Sequence, residues 1–130
     1  MINKIQNLNF KLMEATTFNG FDGERVVKSL KDHRELWRGA VMDRAGYKDP
    51  DSPDYSEAIS LIKLRDIKDN YWNVDTLYIL PTAGKEKELE TLASGWGADE
   101  VNYIGGKRAG SILGSAIMTH EKQILRVWWD

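Results

Sequence analysis

The seven residues Gln123-Ile124-Leu125-Arg126-Val127-Trp128-Trp129 constrain the fold of this chain more than any other stretch. Read with the two-residue period of a strand, Leu125, Val127 and Trp129 share one face and Ile124, Arg126 and Trp128 the other. Each face carries a tryptophan, and a frayed strand that exposed both would gain nothing for the cost. The segment is therefore expected inside a sheet, either covered on both sides or with one face kept as a binding surface.

The residues before it supply the rest of that sheet. Residues 76–80 read as a strand stopped by Pro81. Residues 85–96 place Leu89, Leu92, Ala93 and Trp96 at helical spacing, with Gly95 and Gly97 as stop signals. Residues 101–104 are a short strand ended by Gly105-Gly106, and Ala109, Ile112 and Leu113 mark a short helix closed by Gly114. Two helices between three strands imply crossovers that bring the strands back parallel. The fold class is α/β or α+β. The expectation is one small globular domain over residues 1–130, a mixed β-sheet built on this strand-helix-strand-helix-strand unit, with N-terminal helices packed on it.

In the N-terminal half, Leu8, Phe10 and Leu12 alternate with polar residues, which predicts a half-buried strand added to the sheet as an antiparallel edge. A turn comes next at 16–20, and Asp22 is placed to cap a helix. Val26, Val27, Leu30, Trp37, Ala40 and Val41 recur near helical spacing; the interruption at Asp32-His33 predicts two short helices. Residues 46–54, with Pro50 and Pro53, form a loop. Asp54 and Glu57 open a further helix with Tyr55, Ala58, Ile59 and Ile62 on its apolar side, although 61–65 fit a strand equally well. Residues 66–75 read as a loop pinned by Tyr71 and Trp72.

Composition removes several functions. The chain has 130 residues, five tryptophans and no cysteine, so disulfides, thiolate catalysis and cysteine-based zinc sites are excluded. No stretch is apolar for long enough to cross a bilayer as a helix, and residues 1–7 lack the apolar core of a signal peptide. A cytoplasmic, membrane-free location is the expectation. The net charge of −2 argues against a dedicated nucleic-acid binder. Residues 49–100 carry 12 acids against five bases, net −7, so a basic partner is expected if those acids share a face.

Few residues suggest chemistry. Gly105-Gly106-Lys107-Arg108-Ala109-Gly110-Ser111 follows a strand and opens a helix, where backbone N–H groups and two cations can meet an anion. It lacks the spacing of a P-loop or of the dinucleotide fingerprint. The more ordinary account is a tight turn with exposed cations. His33 and His120 lack the partners of a catalytic triad or a zinc pair and read as structural or surface residues. Of the carboxylate pairs, Asp99-Glu100 beside Trp96 is the one placed for acid–base work; Glu86, Glu88 and Glu90 fit a helix surface. No metal site or cofactor is indicated.

The leading functional reading is a small binding protein that occupies a partner's surface, in concrete form an immunity-like or antitoxin-like inhibitor of a basic bacterial toxin domain. Trp72 and Tyr71 would be its anchors, with Asp66, Asp69 and Asp75 steering the encounter. The competing account has both aromatics plugging the end of the sheet. An anion- or nucleotide-binding module using Gly105, Gly106, Lys107, Arg108 and Ser111 is the second reading, and a subunit of a homo-oligomer the third.

Overall fold

A computed structural model describes residues 1–43, 67–69, 72, 74–114 and 123–130. The expected loop at 46–54, the helix opening at Asp54, the segment 61–65 and the connection preceding residue 123 lie outside the described residues, as do Asp66, Tyr71 and His120.

The chain begins with a helix, α1 (Lys4–Glu14), where the alternation at residues 8–12 predicted a strand. Asn3 caps it, its Oδ1 accepting the Gln6 N–H at 2.8 Å. Phe10 and Met13, three residues apart, are fully buried, whereas Leu8 and Leu12 are 50% and 46% exposed. Leu8 and Leu12 lie four apart on one side of the helix and Phe10 sits on the other, so three apolar residues at period two belong to two helix faces.

A short 3-10 turn, Phe18–Gly20, with Asn19 and Gly20 at positive φ, leads to α2 (Gly23–Asp32). Asp22 caps α2 as expected, accepting the Arg25 N–H at 3.1 Å. The helix breaks at Asp32-His33 as expected, but the chain then makes a 3-10 turn, Arg34–Leu36, and enters a strand, β1 (Trp37–Asp43), not a second helix. A bulge between Trp37 and Gly39 explains the difference. The extra residue puts Trp37 and Ala40 on the same face although they are three apart, which imitates helical spacing. Ala40 and Met42 then continue the buried face with period two, while Val41 is 40% exposed.

The C-terminal elements keep the expected order: β2 (Thr76–Pro81), α3 (Glu86–Ala93), β3 (Glu100–Ile104), α4 (Gly106–Leu113) and β4 (Ile124–Trp128). The strands lie in the order β1-β2-β4-β3 with every neighbouring pair antiparallel. The parallel pairing and the mixed sheet expected from the two helical connections are therefore corrected. β2 and β3 do point the same way, as a crossover through α3 requires, but β4 enters between them and pairs with both. The fold is α+β: the described residues form four helices and a four-stranded antiparallel sheet in one small domain.

The last strand is thus central. Leu125, Val127 and Trp129 face the main core with Leu77 and Ile79 of β2, beneath Phe10 and Met13 of α1, Val26, Val27 and Leu30 of α2 and Leu89 and Ala93 of α3. On the opposite face α4 covers one end of the sheet, where Ala109 packs with Tyr78, Ile104 and Ile124. No helix among the described residues is long and apolar enough to cross a membrane.

Candidate functional site

Of the residues expected to form a binding loop, Asp69, Trp72 and Asp75 are described. Trp72 is half-buried and packs against the main core. Its carbonyl accepts the Thr16 hydroxyl at 3.3 Å and the Val74 N–H at 3.0 Å. Asp75 is 4% exposed; it accepts the Thr76 hydroxyl at 2.7 Å, and its own N–H donates to the Asp43 carbonyl. Asp69 is exposed, 4.0 Å from Lys68 Nζ. A buried Asp75 is engaged at the end of the sheet and is not presented on the surface for direct contact with a partner.

In the glycine turn, Gly105 precedes α4 and Gly106 takes φ +61, a conformation that favours glycine. Lys107 and Arg108 are exposed, and Arg108 already has an interaction of its own. The Ser111 side chain lies outside the described residues. The turn has the local geometry of a chain reversal that opens α4.

The carboxylates at the entry to β3 are engaged structurally. Asp99 Oδ2 accepts the Asp130 N–H at 2.7 Å, and Glu100 Oε2 pairs with Arg126 Nη1 at 2.9 Å. Both acids are exposed, so neither sits in the apolar pocket that an acid–base pair requires. His33 donates from Nδ1 to the Ser29 carbonyl at 2.9 Å, since a carbonyl only accepts. It borders an open groove of 580 Å³ with Glu35, Lys87, Glu88 and Thr91. Among the described residues, no three His, Asp or Glu side chains come close enough to hold a metal ion.

Tyr103 titrates well above an ordinary phenol because it is partly buried, with the charges of Glu86 and Glu90 adding to that effect. Its hydroxyl donates to the Glu86 carbonyl and ties β3 to α3. A folded value above the unfolded one means that stability is fully present below the ordinary phenol value of 10.0 and is lost as pH rises beyond it. Thermal melts should therefore fall more steeply above about pH 10 for the wild type than for Tyr103→Phe. Equal slopes would show that the phenol is not held protonated.

The fold leaves the outer side of α1 exposed. Ile5, Leu8 and Leu12 stand at i, i+3 and i+7 on one side, 74%, 50% and 46% exposed, and Met1 is exposed just before the helix. The opposite side buries Phe10 and Met13. A helix apolar on two sides has one more face than its own domain uses. Ile5, Leu8 and Leu12 thus form a contiguous exposed apolar row, whereas surface apolar residues scattered singly are ordinary. The signal was present in the sequence as Met1, Ile5, Leu8 and Leu12, hidden by the strand-like alternation at residues 8–12.

The same helix is clamped to the edge of the sheet. Gln6 Nε2 donates to the Ala40 carbonyl at 2.7 Å, and the Ala40 N–H donates to Gln6 Oε1 at 2.9 Å. Among the described residues β1 is an edge strand, and the primary amide takes up the Ala40 N–H and carbonyl that a neighbouring strand would pair. Gln6→Ala should cost about 1–2 kcal/mol for the two lost hydrogen bonds. Urea melts with parallel light scattering check this; an unchanged midpoint would show that the clamp contributes nothing.

No family model matches this chain, and neither the curated proteins nor the solved structures contain a significant match to it.

Proposed function

We propose that this chain is a small protein-binding module that acts by covering part of a partner's surface, with the outward side of α1 as its docking face. One observation carries the reading: Ile5, Leu8 and Leu12 are exposed in a single row on a helix whose other side already fills the core. Helix faces with apolar anchors at i, i+3 and i+7 are a recurring means of protein recognition. An occluding inhibitor of a toxin is one concrete form of the proposal, and it makes the same demand on this face. The α1 row is preferred to the Trp72 loop because the Trp72 ring is partly spent on the domain's own core.

Leu8→Glu tests it. The side chain is half exposed, so stability should stay within about 0.5 kcal/mol of wild type. Binding to the partner that co-purifies from the source cell should fall at least tenfold, as expected for about 2 kcal/mol at an interface anchor. Lys28→Glu, on the exposed side of α2, should leave binding unchanged. A partner that holds the Leu8→Glu variant as tightly as wild type would show that α1 is not the docking face.

A further inference from the structure

The outward side of α1 carries charge of one sign. Lys4 and Lys11 stand four residues before and three after Leu8, in the row beside the apolar one. Both are exposed, as is Arg38, which borders a groove of 490 Å³ together with Lys4 and Ile5. No ion pair among the described residues engages any of these three cations. Glu14, the one acid of α1, reaches toward α2, where Lys31 Nζ lies 3.5 Å away. Other exposed acids lie off α1: Asp22, Glu24 and Asp32 at and on α2, Glu35 after it, Glu88 and Glu90 on α3, and Asp99 and Glu100 at the entry to β3.

An apolar row with cations along one flank is complementary to a helix whose apolar seam is bordered by carboxylates. Resting on the reading of α1 as a docking face, we infer that the partner presents an acidic amphipathic helix. Its apolar seam lies on Ile5, Leu8 and Leu12, and its carboxylates meet Lys4, Lys11 and Arg38. The local charge thus selects the opposite kind of partner from the one the acidic segment 49–100 suggests. The groove beside Ile5 favours a protein over a lipid surface, because a recess next to the edge of β1 admits a side chain and a flat bilayer leaves it empty. A second copy is disfavoured: a two-fold axis through Leu8 sets Lys4 of one α1 against Lys11 of the other, and like charges repel.

The test uses the purified chain and two synthetic helical peptides with the same leucine seam, one flanked by glutamates and one by lysines, followed by fluorescence anisotropy. The glutamate peptide should bind at least about tenfold tighter at low salt, and the advantage should shrink as salt rises. Leu8→Glu should abolish binding of both peptides. Lys4→Glu with Lys11→Glu should reverse the preference, and both variants should keep the wild-type melt. Equal binding of the two peptides, or a preference for the lysine peptide, overturns the inference. Binding to phosphatidylserine vesicles with neither peptide bound overturns it in favour of a membrane. If neither peptide binds while a photo-reactive amino acid in place of Leu8 still crosslinks to a polypeptide in the source cell, the docking face stands and the acidic-helix inference fails. No adduct at that position removes both.

Discussion

Replacing Gly23 by alanine is expected to destabilise the protein by about 3 kcal/mol or more, the upper end of what overpacking costs. Gly23 opens α2 where it abuts the end of α1, and its N–H donates to the Thr16 carbonyl at 3.2 Å. A Cβ there would lie 1.7 Å from the Met13 carbonyl oxygen and 2.9 Å from that of Thr16. Both obstacles are backbone, so the two helices must part for the side chain to fit. Alanine ordinarily favours a helix over glycine by about 1 kcal/mol, and the clash outweighs that gain. Gly95→Ala is the control: its nearest neighbour would be the Leu92 carbonyl oxygen at 3.4 Å, and its melt should stay close to wild type. Urea unfolding of both variants measures the difference. A Gly23→Ala protein as stable as wild type would mean that the corner between α1 and α2 is not packed as described.

Trp129→Ala should cost about 3–5 kcal/mol, the usual range for truncating a buried aromatic. Trp129 is 1% exposed and meets the Phe21 ring edge-on, with centroids 4.8 Å apart. Its backbone N–H donates to the Asp75 carbonyl, and its carbonyl accepts from Asn19 Nδ2 at 3.3 Å, so the residue joins β4 to β2 and to the turn after α1. Trp129→Phe keeps an aromatic ring against Phe21 and gives up no indole hydrogen bond to the described residues, so it should cost much less than alanine. Equal losses for the two substitutions would show that the ring contact is unimportant.

These two residues mark what could be read from the chain and what could not. The buried face of β4 was legible in the alternation of Leu125, Val127 and Trp129, because a strand with apolar residues on both sides has few places to go. The C-terminal element order was legible in the same periodicities and in Gly114, which directly follows Leu113 and takes the positive φ that ends a helix. Gly23 carried no such signal, since its role depends on where α1 ends in space. Tertiary context also decided the N-terminal half. The bulge at Trp37 gave a strand helical spacing, and the two faces of α1 gave a helix strand spacing. The parallel pairing failed for a different reason: a crossover fixes the direction of β3 relative to β2 but does not make them neighbours, and β4 took the place between them.

The candidate site was the least legible part. Trp72 stood out as a loop aromatic near acids, yet its burial and that of Asp75 depend on contacts with residues far away in sequence. The α1 row was visible as spacing but meaningless until the fold showed which side of the helix the core consumes.

The central claim is that the outward side of α1 is where this protein meets its partner. Its most direct test is site-specific photo-crosslinking in the source cell, with a photo-reactive amino acid placed in turn at Leu8 and at Lys28. Both positions are exposed, the first in the apolar row and the second on α2. Polypeptide adducts should form at Leu8 and be nearly absent at Lys28; equal yields at the two positions, or none at Leu8, would contradict the claim.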